Sequence, residues 1–293
     1  MRRILSTDRE ARRPTSADSG FTLIELVVVM VLVGVLGAVV AMFGNPIRAG
    51  IDGQRRAELA DAADTAYRRM AREIRTAVPN SIRLIDDNTI TFIPSKDGGR
   101  YAYDGAGDTE NSISFDNALD VQFDVIGSMY PGTTINSGDF IVIGNWTADP
   151  ARLDLPNAYC PPGGICNRAE VSSFSSPTVT LTSPNAFASA GPTISTPGQR
   201  FQLVDGTEGA VTFACSGGKL KRYWNYGWGS DYTLGSSAIL AGSVGSCKFN
   251  YTNFADLSQL WGLIRMEFNM QRADLPDDTP VQLVYQLHVN NTP

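Results

Sequence analysis

Basic residues are in the minority: 24 Lys and Arg stand against 30 Asp and Glu, a formal net charge of −6. A phosphate-binding protein clusters Lys and Arg on one face, so this balance argues against nucleic acid as a partner. Histidine is nearly absent. The single His288 stands in VQLVYQLHV at an alternating position, which suits a strand face better than a general base. No G-x-S-x-G, P-loop or Rossmann glycine fingerprint occurs between a strand and a helix. The four cysteines, Cys160, Cys166, Cys215 and Cys247, are confined to the C-terminal half, and with one distant histidine they do not make a zinc set. An even number reads instead as two disulfides. Three pairings are possible; Cys160–Cys166 with Cys215–Cys247 is favoured because each bridge closes a local loop. Disulfides persist outside the reducing cytoplasm, so they imply a periplasmic or extracellular place for most of the chain. No catalytic residue, metal or cofactor is expected, and the chain reads as a non-enzyme.

Charge is also missing from residues 26–47, between Glu25 and Arg48. At about 1.5 Å per residue a helix over this stretch spans about 33 Å, enough for the hydrocarbon core of a bilayer. A secretory signal peptide would have a shorter apolar region, about 7–15 residues, and a small-x-small cleavage site, which GAVVAMFG does not offer. A plain signal anchor would not explain Glu25. A carboxylate inside a membrane helix costs on the order of 2.5–3.5 kcal/mol and calls for a partner. Cleavage between Gly20 and Phe21 would create one, the new α-ammonium of Phe21, on the same helix or on a staggered neighbour. The prefix 1–20 holds Arg2, Arg3, Arg9, Arg12 and Arg13 against Asp8, Glu10 and Asp18, a net positive segment suited to the cytoplasmic side.

The string GFTLIELVVVMVLVGVLGAVV, residues 20–40, resembles the prepilin signature of type IV pilins and type II secretion pseudopilins. The resemblance implies a prepilin peptidase that cuts after Gly20 and methylates Phe21. It also implies a subunit-assembly role for Glu25 at the fifth mature position. The partners it implies are other major and minor pilins through the N-terminal helix, the inner membrane and its assembly platform. The implied topology is single-pass, with the N-terminus cytoplasmic and the C-terminal domain periplasmic until the subunit enters a filament or its tip.

Beyond Pro46, Leu59, Ala63, Ala66, Met70, Ile74 and Ala77 recur three or four apart, with Arg68, Arg69, Arg72 and Arg75 between them. This predicts an amphipathic continuation of the helix over 48–78, ending at Val78-Pro79. Asn45-Pro46, with Gly44 and Gly50, is expected to kink or locally melt it. From residue 79 the pattern changes to short strand-like runs with turn punctuation: SIRLI, TITFI, ISFD, VQFDVI, FIVIG, TVTLT, RFQLV, AVTFAC, KLKRYW, LIRMEFNM and VQLVYQLHV. The fold class expected is α+β, a pilin-like fold with a long N-terminal helix packed on an antiparallel β-rich domain, 79–293. The domain order is leader 1–20, transmembrane helix 21–47, amphipathic helix 48–78 and β domain, with 151–197 an irregular insertion.

Two further groups carry possible chemistry. Asp104, Asp108 and Glu110 in YDGAGDTEN offer oxygens but lack EF-hand spacing, and read as a solvated turn. Tyr223, Trp224, Tyr226 and Trp228 could stack on a sugar or a partner subunit, but core packing is the plainer reading. The stretch GQRRAELADAADTAYRRMAREIRTAVPNSIRL, residues 53–84, resembles the mannose-sensitive haemagglutinin (MSHA) pilus biogenesis O proteins, minor pilin-like components. The J pseudopilins of type II secretion are the nearest rival, and a pilus-tip adhesin is a further alternative.

Overall fold

The computed structural model describes residues 20–102, 111–190, 194–196, 198–253, 261–272 and 279–292, with backbone alone for 43–49. Residues 1–19 of the leader, with its five arginines, the acidic group Asp104, Asp108 and Glu110, and residues 273–278 lie outside them. The chain is α+β: among the described residues one α-helix, α1 (Leu23–Arg75), is followed by sixteen strands. It divides between Arg55 and Arg56 into two compact units.

In the first unit, Leu23–Met42 has a mean hydropathy of 2.9 and none of it is buried. Valine fills much of this stretch, and β-branched residues are mediocre helix formers in water. Within lipid the ranking matters less, because a helix satisfies its backbone hydrogen bonds internally. The expected local melting at Asn45-Pro46 does not occur: α1 continues through it. A proline deletes one N–H donor, while the i→i−4 bonds on either side of it hold the helical path.

The strands, all in the second unit, are in chain order β1 (Arg83–Asp86), β2 (Thr89–Phe92), β3 (Asp97–Tyr101), β4 (Gln122–Ile126), β5 (Phe140–Val142), β6 (Pro156–Asn157), β7 (Ile165–Cys166) and β8 (Arg168–Ser175). They continue with β9 (Thr178–Leu181), β10 (Arg200–Val204), β11 (Val211–Ser216), β12 (Lys219–Trp224), β13 (Ser236–Gly242), β14 (Val244–Asn253), β15 (Trp261–Met270) and β16 (Val281–Asn290). They form a five-stranded sheet β1-β2-β11-β12-β13, a three-stranded sheet β14-β15-β16, a closed barrel β10-β3-β4-β9-β8-β5 and a small parallel ribbon β6-β7.

The apolar stripe of the last turns of α1 forms one core with both open sheets. Leu59, Ala63, Ala66, Met70 and Ile74 are buried against Ile90, Phe92 and Phe213 of the larger sheet and Phe249, Ile264 and Phe268 of the smaller. Arg68, Arg69, Arg72 and Arg75 face outward. The helix stops at Arg75, three residues before the expected end. Thr76 N–H and Ala77 N–H donate to the carbonyls of Glu73 and Ile74, tightening the last turn, and Val78 N–H then donates to Ile93 O at 2.8 Å. Residues 76–78 thus leave the helix to pair beside β2.

The barrel is inserted between β2 and β11, which are themselves hydrogen-bonded neighbours. Its core is aromatic: Tyr101 meets Phe115 and Phe123 edge-on at 5.8 and 6.4 Å, and Phe123 meets Phe201 at 5.8 Å. Gly99 is dictated by this packing, since a Cβ there would stand 2.6 Å from the Phe201 ring. The requirement also explains why β3, with its DGGRY sequence, has no strand signature. Residues 151–197 differ from the irregular insertion expected: they supply β6 to β9, and β8 and β9 are barrel staves. Only Ala169 and Val171 of β8 are buried, so its sequence shows too little alternation to announce a strand. Conversely ISFD is not a strand, although Ile113 and Phe115 enter the barrel core.

Both disulfides follow sequence order. Cys160–Cys166 closes the loop at the β6-β7 ribbon, with Cα atoms 4.5 Å apart, and Cys215–Cys247 links β11 of the larger sheet to β14 of the smaller, at 6.2 Å.

Candidate functional site: the N-terminal anchor

Residues 20–22 are non-helical, and α1 begins at Leu23. Thr22 makes that start: Glu25 N–H donates to Thr22 Oγ1 at 3.3 Å and to its carbonyl at 3.0 Å, and Leu26 N–H donates to the same carbonyl at 3.2 Å. Threonine in the cap position satisfies donors that have no partner inside the helix. The signal was present in the sequence as the T-x-x-E spacing of Thr22 and Glu25, a capping-box pattern, and reading for charge alone passed over it.

Gly20 and Glu25 are exposed and Phe21 is 81% exposed. A Cβ on Gly20 would meet nothing within 4 Å. Among the described residues no neighbouring atom therefore demands glycine at position 20. Phe21 and the residues after it likewise expose apolar side chains with no protein partner: Leu23, Ile24, Met30, Leu36 and Val40 are each more than 60% exposed. A row of large apolar residues bare to this extent needs a lipid or protein environment.

The profile of the prokaryotic N-terminal methylation motif matches residues 15–41. The chain is type IV pilin- or pseudopilin-like. Such a prepilin-like motif implies processing by a prepilin peptidase and association with pilins, and together with the exposed apolar helix it points to membrane anchoring by the N-terminus. No curated protein matches the chain, and neither does any solved structure.

In the head of this prepilin-like protein, an ion-paired cluster ties the helix to the larger sheet. Arg222 on β12 is buried and donates through Nε to Glu73 of α1 at 2.7 Å and through a terminal nitrogen to Glu208. Burial pulls the Arg222 guanidinium down, but its hydrogen bonds to Glu208 and Glu73 outweigh it and leave it raised above its ordinary value. Nearby, Asn80, with φ of 56°, donates through Nδ2 to the carbonyls of Asn145 and Asn291, each at 3.0 Å, and Asn145 Nδ2 donates to Pro79 O at 2.7 Å. These buried amides stitch the exit of α1 to the barrel side and to the C-terminal residues. Neither cluster was visible in the sequence, because their members lie as far as 211 positions apart.

The aromatic group 223–228 is divided among several contacts. Trp228 lies under the Arg168 guanidinium at 3.8 Å and edge-on to Phe140 at 5.1 Å. Tyr226 hydrogen-bonds through its hydroxyl with Thr212 at 2.7 Å, Tyr223 meets Tyr232 and Trp224 carries Arg222. These rings brace the head and do not form one open stacking surface. Arg168 is itself half-buried, and desolvation lowers its guanidinium to about 10. His288 is exposed on β16 with its ring 5.5 Å from Trp261.

Proposed function

We propose that this protein is a minor pilin-like subunit of a type IV pilus of the MSHA kind, active in assembly initiation or at the tip, with a structural rather than catalytic role. The observation that carries the reading is that one helix, α1, holds both the apolar span matched by the methylation motif and the buried stripe of the head core. Whatever draws the span out of the membrane draws the head with it. Cleavage after Gly20 and methylation of Phe21 fit a junction in non-helical, exposed backbone where, among the described residues, nothing calls for glycine. Glu25 then faces the new ammonium of its own or a neighbouring subunit, as an isolated charge in an apolar setting must. A minor rather than major role is supported by the barrel inserted into the head. A subunit repeated throughout a filament has its lateral space constrained on every side, whereas a subunit present in few copies, or at the end, has room for an extra module.

The J-like pseudopilin reading shares the anchor and the helix, and the 53–84 stretch favours the pilus. Deleting the gene discriminates: loss of filaments with secretion intact supports the pilus reading, and loss of secretion with normal filaments overturns it. N-terminal sequencing of the mature protein should find methylated Phe21; a start elsewhere removes the basis for the cleavage assignment. The tip-adhesin alternative predicts normal filaments that no longer adhere.

A further inference from the structure

On the outer face of the barrel Arg100 of β3 stands directly opposite Arg200 of β10 in the antiparallel register. Side chains so placed have Cβ atoms about 4.5–5.5 Å apart, and like charges in this position destabilise the pair. Both arginines are exposed, and among the described residues neither has a carboxylate partner. Arg100 is held by its Nε donating to Gly198 O at 2.9 Å, and the residue remains exposed. Beside them Gly98 and Gly99 contribute no side chain, and a groove of about 570 Å³ opens between Arg100, Arg200, Gln202 and Ser128. A second groove, about 380 Å³, shares Arg200 and Gln202 and runs to Arg75 at the end of α1. Two other charged groups there are occupied: Lys96 pairs with Asp139, and Asp97 accepts backbone N–H bonds from Gly98 and Tyr130.

We infer that this Arg100–Arg200–Arg75 groove binds a carboxylated polysaccharide. The paired grooves suit a linear ligand, and guanidinium groups spaced along them suit carboxylates presented one at a time. A single-stranded nucleic acid would find no aromatic stacking surface here, since the Phe201 ring lies beneath Gly99 and is 1% exposed. A peptide adding as a strand finds only a short edge here, because β10 is paired with β3 and β5 and β3 is paired with β10 along its length and with β4 at Arg100 and Tyr101. The site belongs to the head alone, so it holds whether the anchor serves a pilus or a pseudopilus, and its binding assay is independent of processing and assembly.

The test uses full-length mature protein in detergent micelles, presented with immobilised polygalacturonate, neutral dextran and an oligo-thymidylate. Binding to polygalacturonate that weakens with salt, without binding to dextran, is expected. Arg200→Gln should weaken it about tenfold and the Arg100→Gln/Arg200→Gln pair about a hundredfold, about one decade per charge-assisted contact. The unliganded Tm of Arg200→Gln should equal or exceed the parent's, because the substitution removes a like-charge contact; this separates lost binding from lost folding. The assignment is overturned by no retention on polygalacturonate at low salt, by equal retention on dextran, by tighter binding to the oligo-thymidylate, or by variants that bind like the parent.

Discussion

The two stretches of α1 are helical for different reasons. Leu23–Met42 is apolar all round except at Glu25 and buries nothing within the chain, whereas the later turns bury Leu59, Ala63, Ala66, Met70 and Ile74 and turn arginines to solvent. The first is a helix because a bilayer leaves its backbone no other hydrogen-bonding partner. The second is a helix because a stripe at 3.6-residue spacing packs on two sheets. Substitutions should therefore separate them cleanly: changes in the anchor alter processing or assembly and leave the head's melting alone, and changes in the stripe do the reverse.

The largest effect is expected at Glu25. Glu25→Gln keeps the apolar run and the Gly20 junction, so precursor should be cut normally, yet assembly into filaments should fail because the Phe21 ammonium is left unpaired in an apolar setting. Immunoblots of cell and sheared-filament fractions read this directly. Normal incorporation would remove the charge-pair account, and accumulation of uncut precursor would move Glu25 to peptidase recognition.

Met70→Ala is the counterpart in the head. Met70 is 0% exposed at the centre of the helix–sheet core, and truncation there costs about 2–5 kcal/mol. Thermal unfolding of the detergent-solubilised protein should shift down by several degrees while cleavage proceeds as in the parent. A head that melts unchanged would mean that the stripe is not what docks the helix.

The disulfides sharpen the comparison within the head. Replacing Cys215 and Cys247 by Ser opens a loop of separation 32 and should cost about 3–4 kcal/mol in the chain-entropy account, while the Cys160–Cys166 pair, separation 6, should cost about 2 kcal/mol. Denaturant titrations of the two double variants give the order. If the short loop proves the more costly, the bridge between β11 and β14 is not a main tie between the sheets.

The smallest effect belongs to Thr22→Ala, which removes the side-chain acceptor for Glu25 N–H. A lost cap is worth about 1 kcal/mol, so amide exchange at Glu25 should quicken about fivefold with the head's unfolding unmoved. Unchanged exchange would place the helix start elsewhere.

The anchor was legible from the sequence because its physics is local: an uncharged run long enough to cross a bilayer, with glycine, phenylalanine and glutamate in order at its head. The stripe on α1 and the order of most strands were legible for the same reason, since periodicity is a property of neighbours along the chain. The barrel was not. Its stave β3 carries Gly99 because the Phe201 ring, about a hundred positions later, needs the space, and β8 buries only Ala169 and Val171, so neither stretch carries a pattern of its own. The Glu73–Arg222–Glu208 cluster and the facing pair Arg100–Arg200 likewise exist only once distant strands are in register. Short-range spacing determines which segments become helix or strand and which one meets the membrane. Long-range pairing decides which side chains share a face, and with them every contact by which the head could recognise something else.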